Sequence, residues 1–110
     1  MKLPNGQNAI INISKLRDYC LNLEHHTGRN KAWVFRAALG LTVDKAELLQ
    51  SALFEAANTQ EAIFTKQNEY GQYYQLDFKM SGPERVATVR SVWLIRPEED
   101  FPALITCYVI

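Results

Sequence analysis

Both histidines of the chain, His25 and His26, stand side by side in the stretch Leu21-Asn22-Leu23-Glu24-His25-His26-Thr27-Gly28-Arg29-Asn30-Lys31, just ahead of an apolar run that begins at Ala32. An imidazole exchanges its proton near neutrality, its unperturbed pKa being about 6.5. Asn30 carries the short acceptor side chain that starts helices. The amides of the turn after it, with Arg29 and Lys31 alongside, would then offer a positive site for a phosphate or carboxylate. A proton carrier beside an anion site is a catalytic combination. The same residues equally fit a solvated surface loop, and their types alone do not choose between the two readings.

The elements that must position this stretch belong to a chain of 110 residues, the length of one domain with one core. With 47% hydrophobic and 22% charged residues, the composition is that of an ordinary folded, soluble protein. Lys and Arg number 12 and are balanced by 12 Asp and Glu, so no global basic field draws the chain to nucleic acid, although a local basic patch is compatible with neutrality. No apolar run reaches the length of a membrane span. The opening Met1-Lys2-Leu3-Pro4-Asn5-Gly6-Gln7-Asn8 lacks the apolar segment of a signal peptide, so the expected compartment is the cytoplasm. Cys20 and Cys107 read as buried small hydrophobes, and no disulfide is expected in that compartment. Neither a metal nor a cofactor is expected. Two adjacent histidines do not easily share one ion, no Cys or carboxylate set stands nearby at ligand spacing, and there is no glycine-rich phosphate loop, Gly-x-Ser-x-Gly or Cys-His pairing.

Residues 1–7 read as a loose lead-in, and Ala9–Ile13 as a short strand or tucked extended segment. Ser14 is placed to cap a helix with Leu16, Tyr19 and Cys20 on one face. After the histidine loop, a second helix buries Phe35, Ala38 and Leu39 at the same spacing, and Gly40 stops it. Thr42 or Asp44 caps a third, Asp44 and Glu47 having capping-box spacing, with Leu49, Ala52, Leu53 and Ala56 as its apolar stripe and Asn58-Thr59 at its end.

The period then changes from helical to alternating, which predicts consecutive antiparallel strands over Ala62–Thr65, Gln72–Met80, Arg85–Arg96 and Ala103–Ile110. Helices followed by strands make an α+β fold: N-terminal helices packed on one face of a C-terminal four-stranded antiparallel sheet. Alternation sorts the side chains. Tyr74, Leu76, Phe78 and Met80, then Ala87, Val89, Trp93 and Ile95, then Ile105, Cys107 and Val109 are expected to face the helices, with Trp93 meeting Phe35. Tyr73, Gln75, Asp77, Thr88, Arg90, Val92, Leu94, Thr106 and Tyr108 are expected on the other face. That face is either merely solvated or a site.

The sequence also carries Tyr19-x-Leu21-Asn22-x-x-His25-x-x-Gly28-x-x-Lys31-Ala32-x-x-Phe35-x-x-x-Leu39-Gly40, then Tyr70-Gly71-x-x-Tyr74-x-x-Asp77, Ala87-Thr88-Val89-Arg90-x-x-Trp93 and Pro102-x-Leu104-Ile105-Thr106-x-Tyr108. This order of motifs, over nearly the whole chain, resembles an uncharacterised bacterial domain family found as small free-standing proteins and as C-terminal modules of phage and polymorphic-toxin-like proteins. Its layout is similar to that of the barnase/EndoU/colicin/RelE-like, metal-independent ribonucleases. Ser91 stands where the pattern has Thr, and His26 where it has no histidine.

The resemblance implies a toxin, with RNA as substrate and a cognate antitoxin or immunity protein as partner. RNA cleavage by attack of the neighbouring 2′-hydroxyl needs a base, an acid and cations for the phosphoryl charge. The implied site is His25 for proton transfer, Lys31 and Arg90 for the phosphate, and Thr106 and Tyr108 to hydrogen-bond the phosphate or orient the histidine. Trp33 and Tyr73 are available to stack on bases, or serve as core or partly exposed aromatics. The reading from another class is a non-catalytic module that uses the same face to grip a protein or an anion.

Overall fold

The side chain of Asn12 accepts a hydrogen bond from the Ser14 amide (2.9 Å) and so opens the first helix. The cap is Asn12 rather than the expected Ser14, because an Asn oxygen reaches the free N–H two residues ahead of it and Ser14 supplies that N–H. In the computed structural model, which describes residues 1–110, this helix runs over Ile13–Lys15 and widens into a π turn over Leu16–Cys20. The two pieces together are α1. The wider turn is closed by the Leu21 N–H donating to the Leu16 carbonyl (2.9 Å), and it leaves Leu16 and Cys20 both fully buried.

Helix α2 spans Arg29–Leu39 and buries Ala32, Phe35 and Leu39. It ends at Gly40 as expected. The glycine adopts a left-handed conformation (φ 71°), its N–H donating to the Arg36 carbonyl (2.9 Å), while the Leu41 N–H donates to Phe35 (3.3 Å). The turn between the second and third strands completes this end: the Glu84 N–H donates to the Leu39 carbonyl (3.1 Å) and the Arg85 guanidinium to Ala37 (3.0 Å). Helix α3 covers Ala46–Thr59, with Leu49, Leu53, Ala56 and Ala57 buried. The expected capping box is absent. A 3-10 turn over Val43–Lys45 intervenes, Thr42 hydrogen-bonds Asp44, and Glu47 instead pairs with Arg17 of α1 (2.9 Å).

The strands are β1 Ile63–Asn68, β2 Gly71–Ser81, β3 Val86–Ile95 and β4 Ala103–Val109, antiparallel and adjacent in the order β1-β2-β3-β4. The fold is therefore α+β, with the helices against one face of the sheet. Strand β1 extends beyond the expected Thr65, because Asn68 accepts from the Tyr70 N–H (2.9 Å) and the turn forms later. Of the two expectations for Ala9–Ile13, a short strand or a tucked extended segment, the second fits: Ile10 bridges to the start of β4 through the Pro102 carbonyl and the Leu104 N–H (2.9 Å each). No helix is long and apolar enough to cross a membrane.

Face sorting holds along β2 and β3. Tyr74, Leu76, Phe78, Met80, Val89 and Trp93 join Leu16, Phe35, Leu39, Leu49 and Leu53 in one core. In β4 the assignment changes partway. Val92 pairs with Thr106 but Trp93 with Leu104, so Ile105 is the extra residue of a bulge and Leu104 takes the core position expected of Ile105. Thr106, Cys107 and Tyr108, beyond the bulge, keep their expected faces. Leu94, assigned to the outer face, is nevertheless buried, flanked in register by Tyr73 and Ala103.

The core holds one polar relay. Trp93 Nε1 donates to Ser91 Oγ (2.9 Å), and the Ser91 hydroxyl donates to the Leu76 carbonyl (2.7 Å), all without solvent. Trp93→Ala should lower stability by about 3–5 kcal/mol through the cavity it leaves. Ser91→Ala should cost about 1–3 kcal/mol by stranding the indole N–H. The double variant should lose less than the sum, since both changes break the same bond. Denaturant midpoints of the three proteins check this, and strict additivity would mean the relay contributes nothing.

Candidate functional site

Register alone brings three side chains into a row on the face of the sheet away from the helices: Asp77 of β2 opposes Arg90 of β3, which opposes Tyr108 of β4. Asp77 and Arg90 form a bidentate pair, Nε to Oδ1 at 2.9 Å and Nη2 to Oδ2 at 3.0 Å, with about a third of each side chain exposed. Hydrogen bonding to Asp77, with a further contribution from the Tyr108 phenol, pushes the Arg90 guanidinium above its already high pKa. Lys31 comes over the outer edge of the sheet from α2, and its Nζ lies 4.6 Å from the centre of the Tyr108 ring. Two cations thus flank one phenol. Thr106 precedes Tyr108 by two residues on the same face, and its buried hydroxyl has no hydrogen-bond partner. The expected grouping of Lys31, Arg90, Thr106 and Tyr108 is therefore present as an open strip. The larger clefts, about 320 Å³ between α3 and β2 and about 290 Å³ between Leu21–Glu24 and Leu41–Val43, share no residue with it.

His25, the fifth expected site residue, is placed apart from these four. Its Nδ1 accepts hydrogen bonds from the backbone N–H of Thr27 (3.1 Å) and Gly28 (3.0 Å), with the Thr27 hydroxyl at 3.3 Å. An accepting Nδ1 is unprotonated, so the proton of the neutral ring sits on Nε2. The ring meets Tyr19 edge-on, centroids 4.7 Å apart and planes at 82°. A side chain at Gly28 would put its Cβ 2.7 Å from the Tyr19 carbonyl oxygen, which is why this approach needs glycine. None of the hydrogen bonds or ring contacts of His25 involves Arg90, Thr106 or Tyr108.

This arrangement corrects the expected anion site. Helix α2 begins at Arg29 with Gly28 before it, so Asn30 lies inside the first turn and caps nothing. The amides of Thr27 and Gly28 are taken by the His25 ring, and that of Arg29 by the His25 carbonyl (3.1 Å). His26, Arg29 and Asn30 are exposed. Of the candidate stacking aromatics, Trp33 is half exposed beside the Arg36 guanidinium, and Tyr73 lies on the open face under Lys66 (4.8 Å).

Two features escaped the reading of site residues. Asp77 falls on the polar face by alternation, but its pairing with Arg90 depends on cross-strand register, which no single strand carries. Tyr19 looked like core, yet it backs the histidine. No group of three or more His, Cys, Asp or Glu is arranged to hold a metal.

His25 does here what Asn or Asp does in a turn, accepting from the N–H groups two and three residues on. His25→Ala should therefore cost about 1 kcal/mol, while His25→Asn should stay within a few tenths of the parent. Urea melts of the pair check the assignment, and equal losses would contradict it.

No curated protein matches this chain significantly. Among solved structures, the fold is similar to that of a chain in a contact-dependent growth inhibition toxin–immunity protein complex from Klebsiella pneumoniae 342, at 14% identity and a TM-score of 0.71, covering 94% of this chain and 95% of that one. At that identity the likeness is one of fold. The sequence profile of a family described as a domain of unknown function, DUF6883, matches residues 2–110, so nearly every residue discussed above falls within it, and the chain belongs to that family.

Proposed function

We propose that this protein is the toxin of a toxin–immunity or toxin–antitoxin pair, and that its open sheet face cleaves RNA in the cytoplasm without a metal. The observation that carries this reading is the convergence of Arg90 and Lys31 on Tyr108 across the face that the helices leave uncovered. Similarity of fold to a chain of a toxin–immunity complex supports the biological setting.

Asp77 engages two of the five N–H donors of Arg90, leaving three for phosphoryl oxygens. Lys31 adds a second positive charge, and the Tyr108 hydroxyl adds a neutral donor. Charge that develops on the phosphoryl group as the 2′-hydroxyl attacks would meet donors already in place. Two groups are available for the proton. His25 can take it only when Nδ1 releases its amides, whereas the Asp77 carboxylate is an acceptor already on the face.

Purified protein in EDTA should cut RNA to products ending in a cyclic phosphate and leave DNA untouched, and expression without an inhibitor should arrest growth. Arg90→Ala and Lys31→Ala should slow cleavage. His25→Asn, which keeps the turn, should lose 10²–10⁴-fold if the imidazole carries the proton. Asp77→Asn should show that loss instead if the carboxylate does. RNA left intact across a broad panel, or cleavage only with an added divalent ion, would sink the proposal.

The ion pair favours a second reading: with Arg90 already neutralised by Asp77, the face would be a non-catalytic grip for a protein or an anion. Harmless expression together with tight capture of one such partner is its signature. Harmless expression that protects cells from a toxin would place the chain on the immunity side of the pair.

A further inference from the structure

Cys20 closes the π turn of α1, and Cys107 lies in the middle of β4, 87 positions later. Both are free thiols with no exposed surface, and their sulfurs are 3.8 Å apart, the Cys107 thiol donating to Cys20. A disulfide needs about 2.05 Å, so the two sulfurs have to approach by about 1.8 Å to bond. Their neighbours are the residues of the candidate site. Cys20 follows Tyr19, which backs His25, and Cys107 stands between Thr106 and Tyr108.

We propose that Cys20 and Cys107 are a redox-active pair that closes to a disulfide by exchange with a small or protein disulfide. The bond clamps α1 to β4 and sets the spacing between the Tyr19–His25 contact and the Thr106–Tyr108 strip. This does not depend on the RNA reading.

The asymmetry of the pair assigns the roles. The hydrogen bond from Cys107 lowers Cys20 to about 7, with Lys15 and Lys31 adding positive field, while the same neighbour and burial raise Cys107 well above the usual thiol value. Cys20 is thus the attacking thiolate. It displaces one thiolate from the external disulfide and forms a mixed disulfide. Cys107 gives up its proton and attacks the Cys20 sulfur, expelling the second thiolate. In sum, two protein thiols and one external disulfide become one protein disulfide and two external thiols.

Because neither sulfur is exposed, the exchange requires α1 to open. That element is suited to opening: three residues of α-helix and a single π turn, where the hydrogen-bond geometry is poorer. Closure should therefore be slow in the folded protein and fast during refolding, before α1 docks.

The test uses the unmodified protein, reduced and unfolded, then refolded with oxidised glutathione or with a reducing agent. The expected product of the first arm is two hydrogen masses lighter, takes up no alkylating agent when denatured, and melts roughly 10 °C or more above the reduced form, because the bond closes a long loop of the unfolded chain. A reductant should reverse all three. The NMR signals of the His25 ring should differ between the two forms, and those of exposed His26 should not. Two alkylatable thiols after oxidative refolding, a glutathione adduct that never resolves, or a disulfide between chains would overturn the pair. A mass loss with unmoved His25 signals would overturn the clamp. Cys20→Ser should abolish closure, and should that variant not fold, the mass of the parent protein still decides.

Discussion

The end groups of a helix must be paired when they leave water, and the placement of α2 follows from how this chain meets that demand. At the C-terminal end, Gly40 turns back on Arg36, while Glu84 and Arg85 from the β2–β3 turn reach Leu39 and Ala37. At the N-terminal end, the His25 ring takes two amides, and Tyr19 packs against both the ring and Gly28. With both ends tied to other elements, α2 has little freedom to slide or rotate. Phe35 and Leu39 enter the core, and Lys31, on the same helix, is carried over the β4 edge to Tyr108.

The open face inherits its character from this placement and from strand register. Balanced net charge hides a local grouping: Arg90 and Lys31 stand around one phenol, and the only carboxylate in the row, Asp77, is committed to Arg90. An ion pair with about a third of each side chain exposed is screened by water and contributes little to stability. Its effect is geometric: two hydrogen bonds fix the guanidinium to Asp77 and leave three donors unspent.

Much of the fold was legible in the residues because helices and strands are written in short-range periods. The stripe Leu49, Leu53, Ala56 marks α3, and the alternation Tyr74, Leu76, Phe78, Met80 marks both β2 and its buried face. Gly40 stops its helix through its own backbone freedom, a property of one residue. The sequence by itself therefore determined the α+β order, the stop of α2 and the inward set of β2 and β3. It also placed Arg90, Thr106 and Tyr108 on one face, because the β4 bulge falls before Thr106 and leaves their alternation intact.

What the tertiary structure alone decided are pairings across distance. Whether a bulge sits at Ile105 depends on how β4 fits β3, so alternation within β4 puts Ile105 on the core face that Leu104 occupies. The residue type and neighbours of His25 suit a proton carrier or a solvated loop alike, whereas the fold uses its Nδ1 to close the turn from which α2 starts, with Gly28 as the cap two residues before Asn30. Asp77 meets Arg90 only through register, Lys31 meets Tyr108 only because α2 lies along the β4 edge, and Cys20 meets Cys107 only because α1 docks under β4. Spacing along a chain constrains neighbours a turn or two away, whereas these contacts join residues that become neighbours only when separate elements pack.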